Sequence, residues 1–377
     1  MNQDINSYIR LKFKEKVKAT LKKTLSLSFN DILSKCLQES SISETEITCS
    51  LELENWFNYI FFTNYIEDLP YDEYLQEIII HSESNIDLIS KGEKSKLEVD
   101  FLSSEDLQLS FEVLARKNQA EWNFQTPFAS FSILIGGSTY RCTLVHECIT
   151  QEKNSKAFFR KASQQSFDLE SFSLSSKEVK LIQDLVRQKK NIIVSGATAS
   201  GKTTFLKSLV CLFDKQEHTI VIEDTHEIPG PSSSFSHLLA NGSKGKTMTD
   251  YCSYAMRMSP DRILLGEIRS NEVIPFVLAM NTGHKGLLTT IHSNSAKDTI
   301  SRLSMLFSLF STASNAINYQ QVTKLICTNI DYVIHLEKKN VIEIINIIGA
   351  DDNGAIYKTI KGSSSKIPLQ HPLDLAS

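Results

Sequence analysis

From Phe13 the apolar positions Val17, Leu21 and Leu25 recur every fourth residue, the repeat of one face of an α-helix. Lys12, Lys14, Lys16, Lys18, Lys22 and Lys23 fill much of the remainder. The pattern predicts a basic amphipathic helix. Its stripe either packs on its own domain or lies on an anionic membrane or a partner, and the packed alternative is preferred. Residues 30–75 also read as helical, with an aromatic-rich stretch from Trp56 to Tyr65. At Glu77 the pattern shortens to strands, Ile78 to Ile80 and Ile86 to Ile89, followed by a turn at Lys91-Gly92. A helix is predicted over 104–118, a hairpin over Phe131 to Ile135 and Tyr140 to Val145 around Gly136-Gly137, and a strand over Ala157 to Arg160. Beyond a Ser/Gln-rich stretch from Lys161 to Ser176, strands and helices alternate, as in a mostly parallel sheet.

The predicted organisation is an N-terminal helical region (1–65), an N-terminal α/β domain (66–162), a linker (163–176), a larger α/β domain (177–361) and a disordered Ser- and Pro-containing tail (362–377). At 41% hydrophobic and 22% charged the composition is that of a globular chain, and a net charge of −4 argues against wholesale nucleic-acid binding. No apolar run approaches the about 18 residues needed to cross a bilayer. The N-terminus lacks a signal-peptide core, and the cysteines form no CxxC pair and are odd in number. A reduced, cytoplasmic setting is expected.

Eight of the 14 glycines fall between Gly196 and Gly286, which draws attention to phosphate-binding turns. The run Gly196-Ala197-Thr198-Ala199-Ser200-Gly201-Lys202-Thr203, followed by Thr204, matches G-x-x-x-x-G-K-[ST]. An apolar strand (Asn191 to Ser195) precedes it, and a helical face (Phe205, Leu206, Leu209, Leu212) follows. Glycines let the backbone wrap so that N–H groups point at phosphate oxygens, and the helix N-terminus adds partial positive charge. Lys202 would hold the β- and γ-phosphates and Thr203 the Mg²⁺, so ATP and Mg²⁺ are the expected ligands.

Three further segments end apolar strands with polar groups. Thr219-Ile-Val-Ile leads into Glu223-Asp224-Thr225-His226-Glu227, where a carboxylate could orient water or hold Mg²⁺, or could be a solvated strand end. The strand Arg262 to Leu265 delivers Glu267, a longer acid in the place of the usual Asp, which could act on Mg²⁺ through water. Leu287 to Ile291 ends at His292, placed to sense a γ-phosphate; the nearby His284 is read as structural.

At these four segments the chain resembles the type II/IV secretion-system ATPase superfamily. Its Walker A, Asp, Walker B and His boxes read here GATASGKT, VIEDTHEI, PDRILLGEIR and TGHKGLLTTIHSNSA, in that order. The resemblance covers about residues 65–360 and looks nearest to the branch that includes conjugation-type and tight-adherence (Flp) pilus ATPases. It implies a C-terminal RecA-like P-loop NTPase domain with a smaller N-terminal α/β domain and N-terminal helices. It implies a homohexameric ring, with ATP between the two domains, and an inner-membrane platform protein as partner at the cytoplasmic face of the inner membrane, where association is peripheral. By position Glu227 becomes the candidate for activating water, with Glu223 the runner-up, Glu267 the Walker B acid and His292 the sensor. Arg141 and Arg160 match two N-terminal-domain arginines that reach the phosphates. Ser259 stands where the family commonly has a basic residue, although Arg257 and Arg269 are close by, and no tetracysteine zinc site is present, so no structural metal is expected.

Two other function classes share this core. A nucleic-acid translocase predicts a basic patch with aromatics, and 177–360 has no concentrated one, so nucleic acid is not the expected partner. A nucleotide-gated scaffold without turnover predicts decay of Glu227, Glu267 or His292, and all three are present.

Overall fold

The computed structural model describes residues 2–61, 74–97, 103–135, 137–162, 166–240, 247–311 and 318–362. Most of the expected tail (363–377), the end of the aromatic stretch, the first residues of the expected linker (163–165) and Gly136 lie outside the described residues. Among the described residues the chain divides into two compact units, the first ending at Ala162.

The first unit runs α1 (Asn2–Leu21), α2 (Phe29–Ser40), α3 (Ser50–Ile60), β1 (Leu75–Ser82), β2 (Asn85–Ser90), β3 (Glu93–Leu97), α4 (Ser104–Lys117), β4 (Phe128–Ile135), β5 (Ser138–Val145) and β6 (Lys156–Lys161). The strands form one sheet in the order β3-β2-β1-β6-β5-β4, antiparallel throughout. The four-residue stripe of α1 is core: Ile9, Phe13, Val17 and Leu21 are buried, and the Phe13 ring meets Phe29 edge-on at 5.3 Å and Trp56 at 6.3 Å. Its lysines pair with acids, Lys14 and Lys18 with the buried Asp106, Lys12 and Lys16 with the exposed Glu39. The solvent-exposed pairs to Glu39 add little stability, so the buried stripe holds the helix. Helices and sheet share one hydrophobic core, so the expected boundary at residue 65 does not separate two cores. Along β5, Tyr140, Cys142 and Leu144 are buried and alternate with Arg141, Thr143 and Val145, the period of a half-covered strand. Arg141 and Arg160 are cross-strand partners.

The second unit carries α5 (Ser176–Arg187), β7 (Ile192–Gly196), α6 (Lys202–Val210), β8 (Thr219–Glu223), β9 (Phe235–Leu239), α7 (Met248–Ala255), β10 (Arg262–Ile268), α8 (Val273–Asn281), β11 (Leu288–Ile291), α9 (Ala296–Phe310), α10 (Tyr319–Asn329), β12 (Tyr332–Glu337), β13 (Asn340–Asp351) and β14 (Gly354–Lys361). Its eight strands lie in the order β14-β13-β12-β7-β11-β10-β8-β9. From β12 to β9 all pairings are parallel, and β13 and β14 add antiparallel strands at one edge. The α/β class with a RecA-like C-terminal domain is thus observed. Strands β7, β8 and β11 are buried along their whole length, as expected for parallel strands covered on both faces.

The expected linker is in part packed. Leu169, Phe172 and Leu174 are buried in the second unit's core, and the Phe172 ring meets Phe205 edge-on at 5.0 Å. Ser and Gln hid these three anchors from a reading by composition. Among the described residues no helix is long and apolar enough to cross a membrane.

Candidate functional site

In a parallel sheet the strands' carboxyl ends share one edge, so residues far apart in sequence converge there. Gly196, Glu223, Glu267 and His292 come from the ends of β7, β8, β10 and β11. The loop after β7 needs its glycines. A Cβ on Gly196, at φ +152°, would lie 2.4 Å from both Leu336 O and Ser200 Oγ. Gly201, at φ +96°, opens α6, and a Cβ there would lie 3.3 Å from Lys339 Cα. Ala197, Thr198 and Ala199 form the exposed tip, while Ser200 and Lys202 are buried. Thr203 and Thr204 are half-buried in the first turn of α6.

Lys202 Nζ donates to Gly196 O (3.0 Å) and Ala197 O (2.9 Å), and burial lowers its pKa. The buried Ser200 Oγ has no hydrogen-bond partner among the described residues. A buried cation resting on loop carbonyls, an orphaned hydroxyl and a backbone cradle that a Cβ would fill together suit a polyphosphate. The residues therefore fit the nucleotide that the sequence implies.

His292 connects the loop to the acid on β10. Its Nδ1 lies 3.3 Å from Lys202 Nζ, and its Nε2 lies 2.8 Å from Glu267 Oε1, off the line of the N–H. An ammonium can only donate, so Nδ1 accepts and the ring is the neutral Nε2–H tautomer. The lowered His292 pKa agrees, its causes being first burial and then the Lys202 charge. Arg269 clasps the other oxygen, with Nε 2.8 Å and Nη2 2.5 Å from Glu267 Oε2, and its Nη1 reaches Asp224 Oδ2 at 2.9 Å. The result is one polar chain, Lys202, His292, Glu267, Arg269 and Asp224. Charge-assisted bonds such as those of Arg269, two to one oxygen of Glu267 and one to Asp224, fix the orientation of both acids.

The two candidates for activating water differ in setting. Glu227 is about a third exposed, with Lys207 Nζ 3.9 Å from its Oε2. Glu223, the runner-up, is turned into its own loop. It is buried, its Oε1 accepts from Glu227 N (3.2 Å) and Ile228 N (3.1 Å), and burial raises its pKa. A carboxylate so engaged braces the loop that carries Glu227. His284 Nδ1 lies 3.2 Å from Ala279 O, at the end of α8, in keeping with a structural role.

Arg141 and Arg160 belong to the first unit, whereas the polar chain is built from the second alone. Arg141 Nε donates to Ser130 Oγ (3.3 Å), and Arg160 Nε lies 3.6 Å from Glu77 Oε1. Arg269 and Asp224 were present in the sequence boxes without a role, because their pairing depends on β8 and β10 being neighbours. The Lys338-Lys339 turn gave no signal at all. Lys339 N donates to Ser200 O at 2.9 Å, so the β12–β13 hairpin backs the loop after β7.

A glycine-bounded loop between a buried parallel strand and a helix, ringed by acids and a histidine at neighbouring strand ends, is the arrangement of a P-loop on a RecA-like domain. Comparison with known proteins agrees. The family described as Type II/IV secretion system protein matches residues 147–359. The chain is 29% identical over 164 residues to the type IV secretion system protein VirB11 of Bartonella quintana (strain Toulouse), covering 42% of this chain and 46% of that one. It is 30% identical over 187 residues to the conjugal transfer protein TrbB of Rhizobium radiobacter, covering 48% of this chain and 55% of that one. The chain thus spans about half the length of these curated relatives. The crystal structure of the pilus retraction motor PilT with bound ADP is similar in fold, with a TM-score of 0.56 and 20% identity over 81% of this chain and 83% of that one. The chain belongs to the type II/IV secretion system protein family.

Proposed function

We propose that the chain is an ATP hydrolase that works as a homohexameric motor in pilus assembly or secretion, at the cytoplasmic face of an inner membrane beside a platform protein. The observation that carries this reading is the continuous polar chain from Lys202 through His292, Glu267 and Arg269 to Asp224. A loop that only gripped nucleotide would not need a second acid and a neutral histidine in contact with the phosphate-binding lysine.

ATP would supply the phosphoryl group, and its Mg²⁺ would neutralise charge developing on the phosphate oxygens. Lys202 and the backbone N–H groups of 196–204 would bind the phosphates, and Thr203 and Glu267, the latter through water, would hold the metal. Glu227 would orient water and take its proton, with Glu223 keeping the loop in place. His292, touching both Lys202 and Glu267, would report the state of the phosphate to β10 and α9. Arg141 and Arg160 are proposed to add positive charge to the phosphates. An arginine supplied in the transition state can be worth about 10³–10⁵ in rate.

The test is steady-state ATPase activity of the purified chain against its own concentration, with Lys202→Ala and Glu227→Gln as controls. The reading requires specific activity to rise with concentration and both variants to lose it. Binding without turnover at every concentration, membranes included, would instead favour a nucleotide-gated scaffold.

A further inference from the structure

We propose that Glu223, His226 and His237 form a binding site for a divalent transition-metal ion of the zinc class, separate from the phosphate-binding loop. Register brings the three together. His237 on β9 pairs with Val221 on β8, and Glu223 follows Val221 by two residues, so Glu223 and His237 are diagonal neighbours on one sheet face. His226 is returned to that face by the loop that Glu223 braces, and its Nδ1 lies 3.8 Å from Glu223 Oε2. One ligand atom from each of the three residues lies within 4.8 Å of the others. Ligands about 2.0–2.2 Å from a common ion need only a modest contraction of that spacing.

The two histidine rings are held against each other and against their neighbours. Their rings meet edge-on, with centroids 4.7 Å apart and planes at 87°. The Nδ1 atoms of both are screened from solvent and have no hydrogen-bond partner among the described residues. The His237 ring is clamped, because Phe235 stacks on it and Gly230 passes so close that a Cβ there would lie 2.9 Å from Nε2. Orphaned buried nitrogens are costly, and a metal ion satisfies two at once. Two imidazoles and one carboxylate suit zinc-class ions rather than Mg²⁺ or Ca²⁺, which take oxygen ligands, and three protein ligands leave a position for water. The surrounding charge also favours a cation, since Glu223, Asp224 and Glu227 outnumber the nearby Lys207 and Arg269.

The site is tested by titrating ZnCl₂, and separately Co²⁺, into chelator-treated full-length protein without nucleotide. Calorimetry gives the stoichiometry, and visible absorption reports the Co²⁺ ligand field. One equivalent is expected to bind, with a low-symmetry Co²⁺ spectrum. His226→Ala and His237→Gln should each weaken binding by more than about tenfold, since even outer-shell changes cost about 10–100-fold. Lys202→Ala should leave it intact. His226 is partly exposed, so its variant decides the matter if His237→Gln fails to fold. The proposal is overturned if no stoichiometric Zn²⁺ binds, if the histidine variants bind it as well as the parent, or if Lys202→Ala abolishes binding, which would place the ion at the phosphate-binding loop.

Discussion

Replacing Gly196 by alanine adds one methyl group at the hinge between β7 and the phosphate-binding loop. Two costs follow. At φ +152° the backbone occupies a region that is nearly glycine-only, which for any other residue costs about 1–3 kcal/mol. The new Cβ would also stand 2.4 Å from Ser200 Oγ and from Leu336 O. Ser200 can rotate away, but Leu336 O cannot yield easily, because β12 pairs with β7 at Leu336 and Gly196. Overpacking against a fixed backbone costs about 1–3 kcal/mol more. The loop, rather than the sheet, is expected to give way, and nucleotide affinity should fall by about 30-fold or more, the equivalent of about 2 kcal/mol. The assay is equilibrium binding of a fluorescent ATP analogue, with circular dichroism to show that the sheet persists. Gly283→Ala is the control. Its φ is also positive, at +96°, but a Cβ there would meet nothing within 4 Å. It should carry the backbone cost without touching nucleotide affinity. Parental affinity in Gly196→Ala would refute the cradle argument.

Two further outcomes are expected. His292 has its pKa lowered, by burial first and then by Lys202, while Glu267 acts to raise it. The neutral ring is therefore the native form. Its contribution to stability is complete above the ordinary histidine value of about 6.5 and is lost as pH falls through the lower folded-state value. In an NMR titration, Glu267→Gln should move the His292 midpoint lower still, and an upward shift would contradict the assigned contact. Phe13→Ala removes a fully buried ring and should destabilise the first unit by about 3–5 kcal/mol, read as an earlier thermal transition. Lys22→Ala on the same segment should change stability by less than about 0.5 kcal/mol, and equal effects would mean that the stripe is not core.

The glycine-bounded loop after β7 was legible in the sequence because its requirements are local. Glycine at φ +96° in Gly201, a strand before it and a helix after it are settled within a dozen residues. The helix of Phe13 and Val17, the Gly-flanked hairpin and the apolar strands ending in Glu223, Glu267 and His292 were readable for the same reason, since periodicity is a property of neighbouring residues. The burial of Leu169 and Phe172, amid Ser and Gln, was not, because scattered apolar residues in a polar stretch set no period.

What each polar group does was decided by the tertiary structure. Glu223 and Glu227 are chemically alike and four residues apart. Only the turn of the loop buries the first on backbone N–H groups and leaves the second beside Lys207. His292 meets Lys202, ninety positions away, because β11 inserts between β7 and β10. Glu223 meets His237 because β9 pairs with β8 in a register that puts them on one face. Strand order and register arise from packing the whole sheet between its helices. The sequence by itself therefore determined the elements and the kinds of chemistry at their ends, and only the assembled sheet decided which of those ends face one another.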